Sequence, residues 1–318
     1  MKTAFLFPGQ GAQTVGMGKD LCEACPQAAD IFDRAEAATG LDLKALCFEG
    51  PDEELARTDI SQPAIFTVSV AVLEAIKAHL GAERFSAFGP AVLAGLSLGE
   101  YTALHVAGAM DFETGVKLVA RRGELMQAAA GEVPSGMVSV IGLDEARANE
   151  LCLAAAEGQV LTCANFNCPG QIVLSGHAEA CERVAEMAAD FGASAAVPLK
   201  VAGAFHSELM TSAADRLGEA VDQISFTPLA LPVVSNTDAT EYTGPGQIKA
   251  RLLAQLVSPV RWQESMQKLL ADGVDRFYEI GPGRVLAGLM RRIHRKADFT
   301  CVGSHEAVEK LAPNGPGD

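Results

Sequence analysis

Residues 91–110 read AVLAGLSLGEYTALHVAGAM, and this stretch decides the fold of the chain. The apolar run 91–96 predicts a buried β-strand, and the residues after Gly99 have the spacing of a helix. Between them Ser97 lies in a G-x-S-x-G motif, typical of a nucleophile elbow, whose strained turn lifts a serine hydroxyl out of the sheet. The backbone N–H of Leu98 would then face a developing oxyanion from a helix N-terminus. We therefore predict that Ser97 is a nucleophile, although a purely structural turn would show the same pattern.

The segments around this elbow predict a larger α/β domain. Residues 3–7 form a short apolar run that ends at a Pro-Gly pair, which indicates a buried strand at the start of the fold. Residues 62–80 and 112–130 carry apolar residues at helical spacing, and Pro63 suits the first turn of the earlier helix. Buried strands that alternate with helices are typical of a sheet covered by helices.

From about residue 137 the pattern changes to that of a second, smaller unit. The predicted order is strand, helix, strand, strand, helix, strand, over residues 137–143, 144–158, 159–166, 171–176, 177–192 and 193–200. Asp144 is placed to cap the first of these helices. The β-α-β-β-α-β order is that of a ferredoxin-like unit. We therefore expect an α/β domain over residues 1–131 and 201–318, interrupted by an α+β insert over 132–200, with a ligand in the cleft between them.

Composition excludes several classes of protein. The 318 residues include 25 Lys and Arg against 40 Asp and Glu, a net charge of −15, which argues against binding to nucleic acid or to anionic membranes. Hydrophobic residues make up 49% of the chain and charged residues 20%, enough apolar material for a sizeable core. The N-terminal MKTAFLFPGQGAQ is too short in apolar residues for a secretory signal. The Pro- and Gly-rich tail, residues 312–318, is expected to fray.

The eight cysteines do not form the pattern of a disulfide scaffold. Cys22 and Cys25 make a C-x-x-C motif, but no second pair follows at zinc spacing, and the surrounding residues are helix-like. We expect ordinary reduced thiols, no bound metal and a cytoplasmic location.

A nucleophilic serine needs a base, and the chain has six histidines. His105 lies eight residues past Ser97 on the same predicted helix, about 12 Å along its axis at 1.5 Å per residue, and is too far away. His206 lies in the apolar, glycine-containing VAGAFHS, just where the chain returns from the insert. Elimination and this hinge position favour His206 as the base, with a packed structural histidine as the alternative.

Three further groups have possible roles. One arginine of Arg121-Arg122 must share a helix face with apolar residues, where it could bind a carboxylate through two parallel hydrogen bonds, or the pair could simply be solvated. The glycines around Gln10 suit close backbone approach and could supply a second oxyanion N–H. A basic cluster is either a solvated helix face or a docking surface for an acidic partner. The cluster comprises Arg291, Arg292, Arg295 and Lys296.

Taken together, these motifs resemble the malonyl-CoA:acyl-carrier-protein transacylases of bacterial fatty acid synthesis. The resemblance covers essentially the whole chain, in the order FPGQGAQ, GLSLGEYTAL, RRGELM, NFNCPGQIVLSG, GAFHS, QLVSPVRW and EIGPG. It implies an α/β-hydrolase-like core with an inserted ferredoxin-like subdomain, in agreement with the predicted element order.

The resemblance also implies roles for individual residues. Ser97 would be the nucleophile and His206 the base, with the backbone carbonyl of Gln255 orienting the histidine in place of a triad carboxylate. The backbone N–H groups of Gln10 and Leu98 would hold the oxyanion.

Two residues are implied to set the choice of substrate. Arg122 resembles the arginine that binds the malonyl carboxylate, and Phe205 matches the bulky residue that accompanies selectivity for malonyl over methylmalonyl groups. Leu96 departs from the family pattern, since most members have His there, and the packing around the elbow is expected to differ.

The implied reaction is ping-pong transfer of a malonyl group from malonyl-CoA to the phosphopantetheine thiol of acyl carrier protein, through a seryl ester and without a cofactor. A serine thioesterase or esterase on the same elbow is the alternative, and a non-catalytic acyl-binding module is a third hypothesis. The sequence does not distinguish a fatty-acid from a polyketide carrier protein as the acceptor.

Overall fold

A computed structural model describes residues 1–311 of the chain, so the predicted fraying of residues 312–318 falls outside the described residues. It contains two sheets. The larger has five parallel strands in the order β7-β2-β1-β8-β9, and the smaller has four antiparallel strands in the order β4-β5-β3-β6. The strands are β1 Thr3–Phe7, β2 Val92–Gly95, β3 Ser135–Ile141, β4 Leu161–Cys168, β5 Gln171–His177, β6 Ala195–Pro198, β7 Val233–Val234, β8 Arg276–Ile280 and β9 Asp298–Val302.

Helices cover the parallel sheet and one face of the antiparallel sheet. They are α1 Lys19–Ala24, α2 Pro26–Thr39, α3 Leu43–Glu49, α4 Asp52–Leu55, α5 Thr58–Phe88, α6 Leu98–Val106, α7 Phe112–Ala130, α8 Glu145–Ala156, α9 Ala178–Met187, α10 Thr211–Val221, α11 Ile248–Val257, α12 Trp262–Ala271, α13 Val285–Ile293 and α14 His305–Glu309. Short 3₁₀ helices span Glu208–Met210 and Pro245–Gln247.

The predicted elements on both sides of the elbow are confirmed, with one correction. Helix α5 runs from Thr58 to Phe88 rather than over residues 62–80, with a kink at Gly81, and Pro63 lies inside it. The early start depends on a tertiary contact, because the N–H of Thr58 donates to the side chain of Gln127 on α7 at 3.2 Å. That contact satisfies one of the orphan donors at the helix start, which the local sequence could not indicate.

Helix α5 lies at the centre of the core. It packs against α2 and α7, and nearly every residue from Thr58 to Ile76 is buried. Among the described helices it alone is long and apolar enough to cross a membrane, and its most apolar 18-residue stretch is 72% buried inside the protein. Its hydrophobicity is therefore accounted for by the core.

The smaller unit follows the predicted element order. Strand β3, helix α8, strands β4 and β5, helix α9 and strand β6 follow one another between residues 135 and 198. Asp144 caps α8, as expected, by accepting a hydrogen bond from the N–H of Arg147 at 2.9 Å. The unit has an apolar cluster of its own between its sheet and its two helices. Its strand β4 also touches the larger domain, where Asn165 pairs with Val260.

Two glycines let the ends of β1 and β2 meet closely. A Cβ atom on Gly99 would lie 2.0 Å from the carbonyl oxygen of Phe7, and one on Gly95 would lie 1.9 Å from the carbonyl carbon of Gly99. Real Cβ atoms do not approach this closely, so glycine is required at both positions. The turn after β2 and the loop after β1 therefore lie side by side at the carboxyl edge of the sheet, where open α/β sheets bind their ligands.

Candidate active site

Ser97 lies in the sharp turn between β2 and α6, as the motif predicts. Its backbone has φ 50° and ψ −101°, a strained conformation for a residue with a side chain. Asn236 holds this turn from both sides. Its Oδ1 accepts from the N–H of Ser97 at 2.6 Å, and its Nδ2 donates to the carbonyl of Gly95 at 2.7 Å. The hydroxyl is thereby presented at the edge of the sheet.

The structure brings His206 to this hydroxyl from 109 residues further along the chain. Its Nε2 lies 2.9 Å from Ser97 Oγ, and its Nδ1 lies 2.7 Å from the backbone carbonyl of Gln255. A carbonyl only accepts, so Nδ1 carries the proton and Nε2 faces the serine with its lone pair. The orienting group is a backbone carbonyl, as the resemblance implied.

The surroundings of His206 keep it neutral. The residue is buried, and burial together with the nearby charge of Arg122 lowers its pKa to about 4, although the bond to Gln255 acts in the opposite direction. At neutral pH the imidazole is therefore able to accept a proton from Ser97.

Arg122 is buried beside the serine, which excludes the solvated alternative for this residue. Its Nη2 donates to Ser97 Oγ at 3.0 Å and to the side-chain oxygen of Gln255 at 2.9 Å, and its Nη1 donates to Gln62 at 2.6 Å. The guanidinium carbon lies 5.1 Å from the centre of the Tyr101 ring, within cation–π range. Arg121 instead pairs with Glu124 on the surface.

No carboxylate forms an ion pair with Arg122 among the described residues. Its Nε is buried and has no hydrogen-bond partner there. Its contacts with side-chain amides and a hydroxyl orient the guanidinium but leave its charge uncompensated by a direct partner. Such a cation is suited to bind an anionic group of a ligand next to Ser97.

A cavity of about 320 Å³ opens onto these residues. It runs between the large sheet and the antiparallel unit, in the cleft where the sequence analysis predicts a ligand. Its walls include the predicted residues Gln10, Leu96, Ser97, Arg122, Phe205 and His206, with apolar side chains from both units. A larger groove of about 1010 Å³ lies between α7 and α10 and contains none of them.

The two predicted oxyanion donors lie on neighbouring segments, the loop after β1 and the start of α6. Leu98 is the first residue of α6, and the N–H groups of a first helical turn have no partner within the helix. Gln10 follows Gly9, where an added Cβ would lie 2.3 Å from the carbonyl oxygen of Leu96. The loop after β1 therefore touches the elbow itself. Gln10 lines the cavity, and Leu98, which directly follows Ser97, is buried.

Phe205 and Leu96 complete the cavity wall. Phe205 is buried, and its carbonyl accepts from the hydroxyl of Ser175 on β5 at 2.7 Å, which ties the base-bearing loop to the antiparallel unit. Leu96 is partly buried, lines the cavity and packs against the apolar cluster on the other face of the large sheet.

The remaining predicted groups lie outside the cavity. Cys22 and Cys25 are at the junction of α1 and α2, and burial raises the pKa of Cys22 to about 12, which opposes thiolate chemistry. The basic cluster is exposed, but it is only partly a helix face, since α13 ends at Ile293 and the last two cations follow it. Val285, at the start of the same helix, lines the cavity.

Sequence reasoning missed four residues that shape the site. Gln62 and Asn236 hold Arg122 and Ser97, but neither lies in a motif near the elbow. Glu100 follows the motif directly and is fully buried, a position where a charged residue signals a specific partner. Asn167 lines the cavity, and its side-chain oxygen is buried with no partner among the described residues.

Comparisons with known proteins identify relatives over nearly the whole chain. The family model described as "Acyl transferase domain" matches residues 4–315. The malonyl CoA-acyl carrier protein transacylase of Bacillus subtilis is 45% identical over 97% of this chain and 95% of its own length. The protein of the same name from Escherichia coli K12 is 45% identical over 91% of this chain and 92% of its own.

Solved structures show the same fold. The malonyl CoA-acyl carrier protein transacylase of Coxiella burnetii has a TM-score of 0.94 and 39% identity, covering 99% of this chain and 98% of that one. A malonyl-transacylase solved in complex with a type II polyketide acyl-carrier protein has a TM-score of 0.89 and 39% identity, covering 97% and 98%.

Proposed function

The chain belongs to the acyl transferase domain family, and from this membership we propose that it transfers malonyl groups from malonyl-CoA to the phosphopantetheine thiol of acyl carrier protein. One observation of the site carries the proposal. The Oγ of Ser97 contacts both a neutral histidine, at 2.9 Å, and a buried arginine, at 3.0 Å. A nucleophile next to both a base and a cation with no directly paired carboxylate is suited to an acyl group that bears a carboxylate.

The first half of the reaction forms a seryl ester. His206 Nε2 takes the proton of Ser97 as Oγ attacks the thioester carbonyl carbon, and the negative charge passes to the carbonyl oxygen. The N–H groups of Gln10 and Leu98 would stabilise that oxyanion. The carbon–sulfur bond then breaks, and the CoA sulfur leaves as a thiol with the proton from His206.

The second half reverses these steps with another thiol. The carrier protein's thiol gives its proton to His206 as its sulfur attacks the seryl ester. The bond to Ser97 Oγ breaks, and the serine recovers the proton from His206. No step needs a metal or a redox group, so we propose that the enzyme uses no cofactor and that malonyl-CoA is purely a substrate.

Arg122 would select the acyl group by pairing with the malonyl carboxylate. Gln62 and Gln255 already orient its two terminal nitrogens, so little side-chain freedom remains to be lost on binding. Phe205 lies in the same cavity and would limit the room for a branched acyl group.

The architecture is consistent with a finer description of the fold. We infer that residues 1–131 and the described part of residues 201–318 form an α/β-hydrolase-like domain and that residues 132–200 are an inserted ferredoxin-like subdomain. The antiparallel strand order β4-β5-β3-β6 supports this description.

The eight cysteines are free thiols, which supports the cytoplasm as the expected compartment.

The alternative is a serine thioesterase or esterase that uses water as the acceptor. The intact mass of the protein after brief mixing with malonyl-CoA distinguishes the two functions, with Ser97→Ala as the control. We expect a malonyl adduct on the wild type only, which added carrier protein discharges. Rapid release of free malonate, with no adduct that carrier protein accepts, would favour the hydrolase. If neither an adduct nor turnover were observed, both functions would be contradicted.

A further inference from the structure

Glu100 is a buried carboxyl group that the mechanism above does not use. It lies in the first turn of α6, three residues after Ser97, and is fully buried. Its Oε1 accepts from the Tyr242 hydroxyl at 2.6 Å, and its Oε2 accepts from the side-chain amide of Gln255 and from the N–H of Asn236. These donors compensate a buried charge, which would otherwise be costly.

The contacts of Gln255 specify one orientation of its side-chain amide. Its Nε2 donates to Glu100 and to the backbone carbonyl of Ser97 at 3.0 Å, while its Oε1 accepts from Arg122 at 2.9 Å. A reversed amide would turn its N–H groups toward a guanidinium that only donates, and its oxygen toward two acceptors. Two charged groups oppose this reversal, Arg122 on the oxygen side of the amide and Glu100 on its nitrogen side.

Arg122 depends on that orientation. Its Nη2 is shared between Gln255 Oε1 and Ser97 Oγ, so a reversed amide would remove one of its two acceptors and place a donor against it. The guanidinium would have to turn away from the elbow, and a carboxylate on a ligand at Ser97 would lose its partner.

We propose that Glu100 is a positioning residue, which locks the Gln255 amide so that Arg122 faces the acyl carboxylate and thereby sets the preference for malonyl over unsubstituted acyl groups. This role rests on the proposed function. The catalytic dyad depends on Glu100 less directly, because His206 is held by the backbone carbonyl of Gln255, which does not reverse with the amide.

The Glu100→Gln variant tests this role. A neutral amide at position 100 both donates and accepts, so it tolerates either orientation of Gln255. The measurement is the kcat/KM of acyl-enzyme formation with malonyl-CoA and with acetyl-CoA. We expect the malonyl-to-acetyl ratio to fall at least tenfold while acetyl transfer changes much less. A folded variant whose ratio stays within twofold of the wild type would overturn the role.

Glu279→Gln is a matched control. Glu279 is also buried, and it accepts from the N–H groups of Leu286 and Ala287 at the start of α13, both at 3.0 Å. The same chemical change there should lower thermal stability and leave the malonyl-to-acetyl ratio alone. A ratio that fell equally in both variants would show that any lost buried carboxylate has this effect, and the specific role would be overturned.

A pH profile provides a test that does not require the Glu100 variant to fold. Burial raises the pKa of Glu100 to about 6, opposed by its hydrogen bonds from Tyr242 and Gln255. The charged or titratable groups that face it are Arg122, Tyr101 and Tyr242. Protonated Glu100 is itself a donor, so the wild-type ratio should fall as the pH falls through about 6. A ratio that is flat from pH 5 to pH 8 would overturn the role.

Tyr242→Phe then links this midpoint to Glu100. Loss of the tyrosine hydroxyl removes a hydrogen bond that lowers the pKa of Glu100, so the midpoint should move to higher pH. An unmoved midpoint would contradict the assignment of the midpoint to Glu100.

A wild-type chain that takes no malonyl group would contradict the proposed function itself, whereas a malonylated wild type with an unaltered Glu100→Gln ratio would contradict only the positioning role.

Discussion

Ser97 and His206 contact each other at 2.9 Å, and both have a backbone conformation that is unusual for a residue with a side chain. Their φ angles are 50° and 58°. Such conformations cost on the order of 1 to 3 kcal/mol each and persist only when neighbouring contacts enforce them. Asn236 does so for Ser97, and the Ser207 hydroxyl, which donates to Ala204 at 2.6 Å, fastens the loop that carries His206.

Replacement of Ser97 should therefore affect stability and activity separately. Glycine adopts positive φ without steric cost, whereas alanine keeps the strain. We expect Ser97→Gly to be more stable than Ser97→Ala by about 1 kcal/mol, while neither forms an acyl adduct. Denaturant unfolding and intact mass give the two quantities. If the alanine variant were the more stable of the two, the turn would not be strained as described.

Arg122→Ala should lose malonyl transfer and retain acetyl transfer. A buried carboxylate without its partner costs about 3 to 5 kcal/mol, or roughly two to four decades in rate. The kcat/KM with each acyl-CoA is the measurement, and Arg121→Ala, on the exposed neighbour, is the control. Equal losses for malonyl and acetyl groups would exclude a role in carboxylate recognition.

The pH dependence of acylation should follow His206. With acetyl-CoA as donor, the rate should be constant from pH 8 to about pH 5 and fall below about pH 4, because the pKa of His206 is about 4 and only the neutral form accepts a proton. Arg122→Ala should move this midpoint upward, since the charge of Arg122 lowers the pKa. A wild-type midpoint near the ordinary value for histidine would contradict this assignment.

The lowered pKa of His206 also predicts how the stability of the fold depends on pH. The pKa of His206 is depressed in the folded chain, so the unfolded chain takes up the proton first. The contribution of this residue to stability is present above about pH 6.5 and is lost as the pH falls toward 4. The unfolding free energy of a His206→Gln variant, compared with that of the wild type across this window, measures that contribution. Parallel pH curves for the two proteins would contradict it.

Gly99→Ala should damage the site through the backbone. Its Cβ would collide with the carbonyl of Phe7 at 2.0 Å and force the loop that carries Gln10 away from the elbow. We expect a loss of about 3 kcal/mol in stability and slower acylation. Gly136→Ala is the control, because a Cβ there has no atom within 4 Å. If Gly99→Ala and Gly136→Ala had the same unfolding free energy, the close approach of Gly99 to Phe7 would not be the cause of the loss.

The basic cluster should contribute to binding of the carrier protein. Arg291 and Arg292 lie in the last turn of α13, about 9 to 10 Å along its axis at 1.5 Å per residue from its first residue, Val285, which lines the cavity. Reversal of charge at Arg291 and Arg295 should raise the KM for carrier protein several-fold, more strongly at low salt, and leave the KM for malonyl-CoA unchanged. An unchanged KM for carrier protein would identify the cluster as a solvated surface.

The local sequence was sufficient to predict the strands and helices whose formation depends on residues close together in the chain. The apolar run before Gly95 and the helical spacing after Gly99 predicted the strand and helix that carry Ser97. The change of pattern near residue 137 likewise predicted every element of the antiparallel unit in order. Element boundaries were predicted less well; α5, for example, begins four residues before the predicted start, where the N–H of Thr58 donates to Gln127 of another helix.

The sequence by itself thus determined the order of the elements, the position of the nucleophile and, through motif resemblance, the set of residues around it. Only the tertiary structure decided how those residues act on one another. It buried Arg122 against Ser97, lowered the pKa of His206 and joined Glu100 to Gln255 across 155 positions. Periodicity and spacing record which face of an element is apolar, whereas desolvation and hydrogen bonding depend on distances between elements that are far apart in the chain.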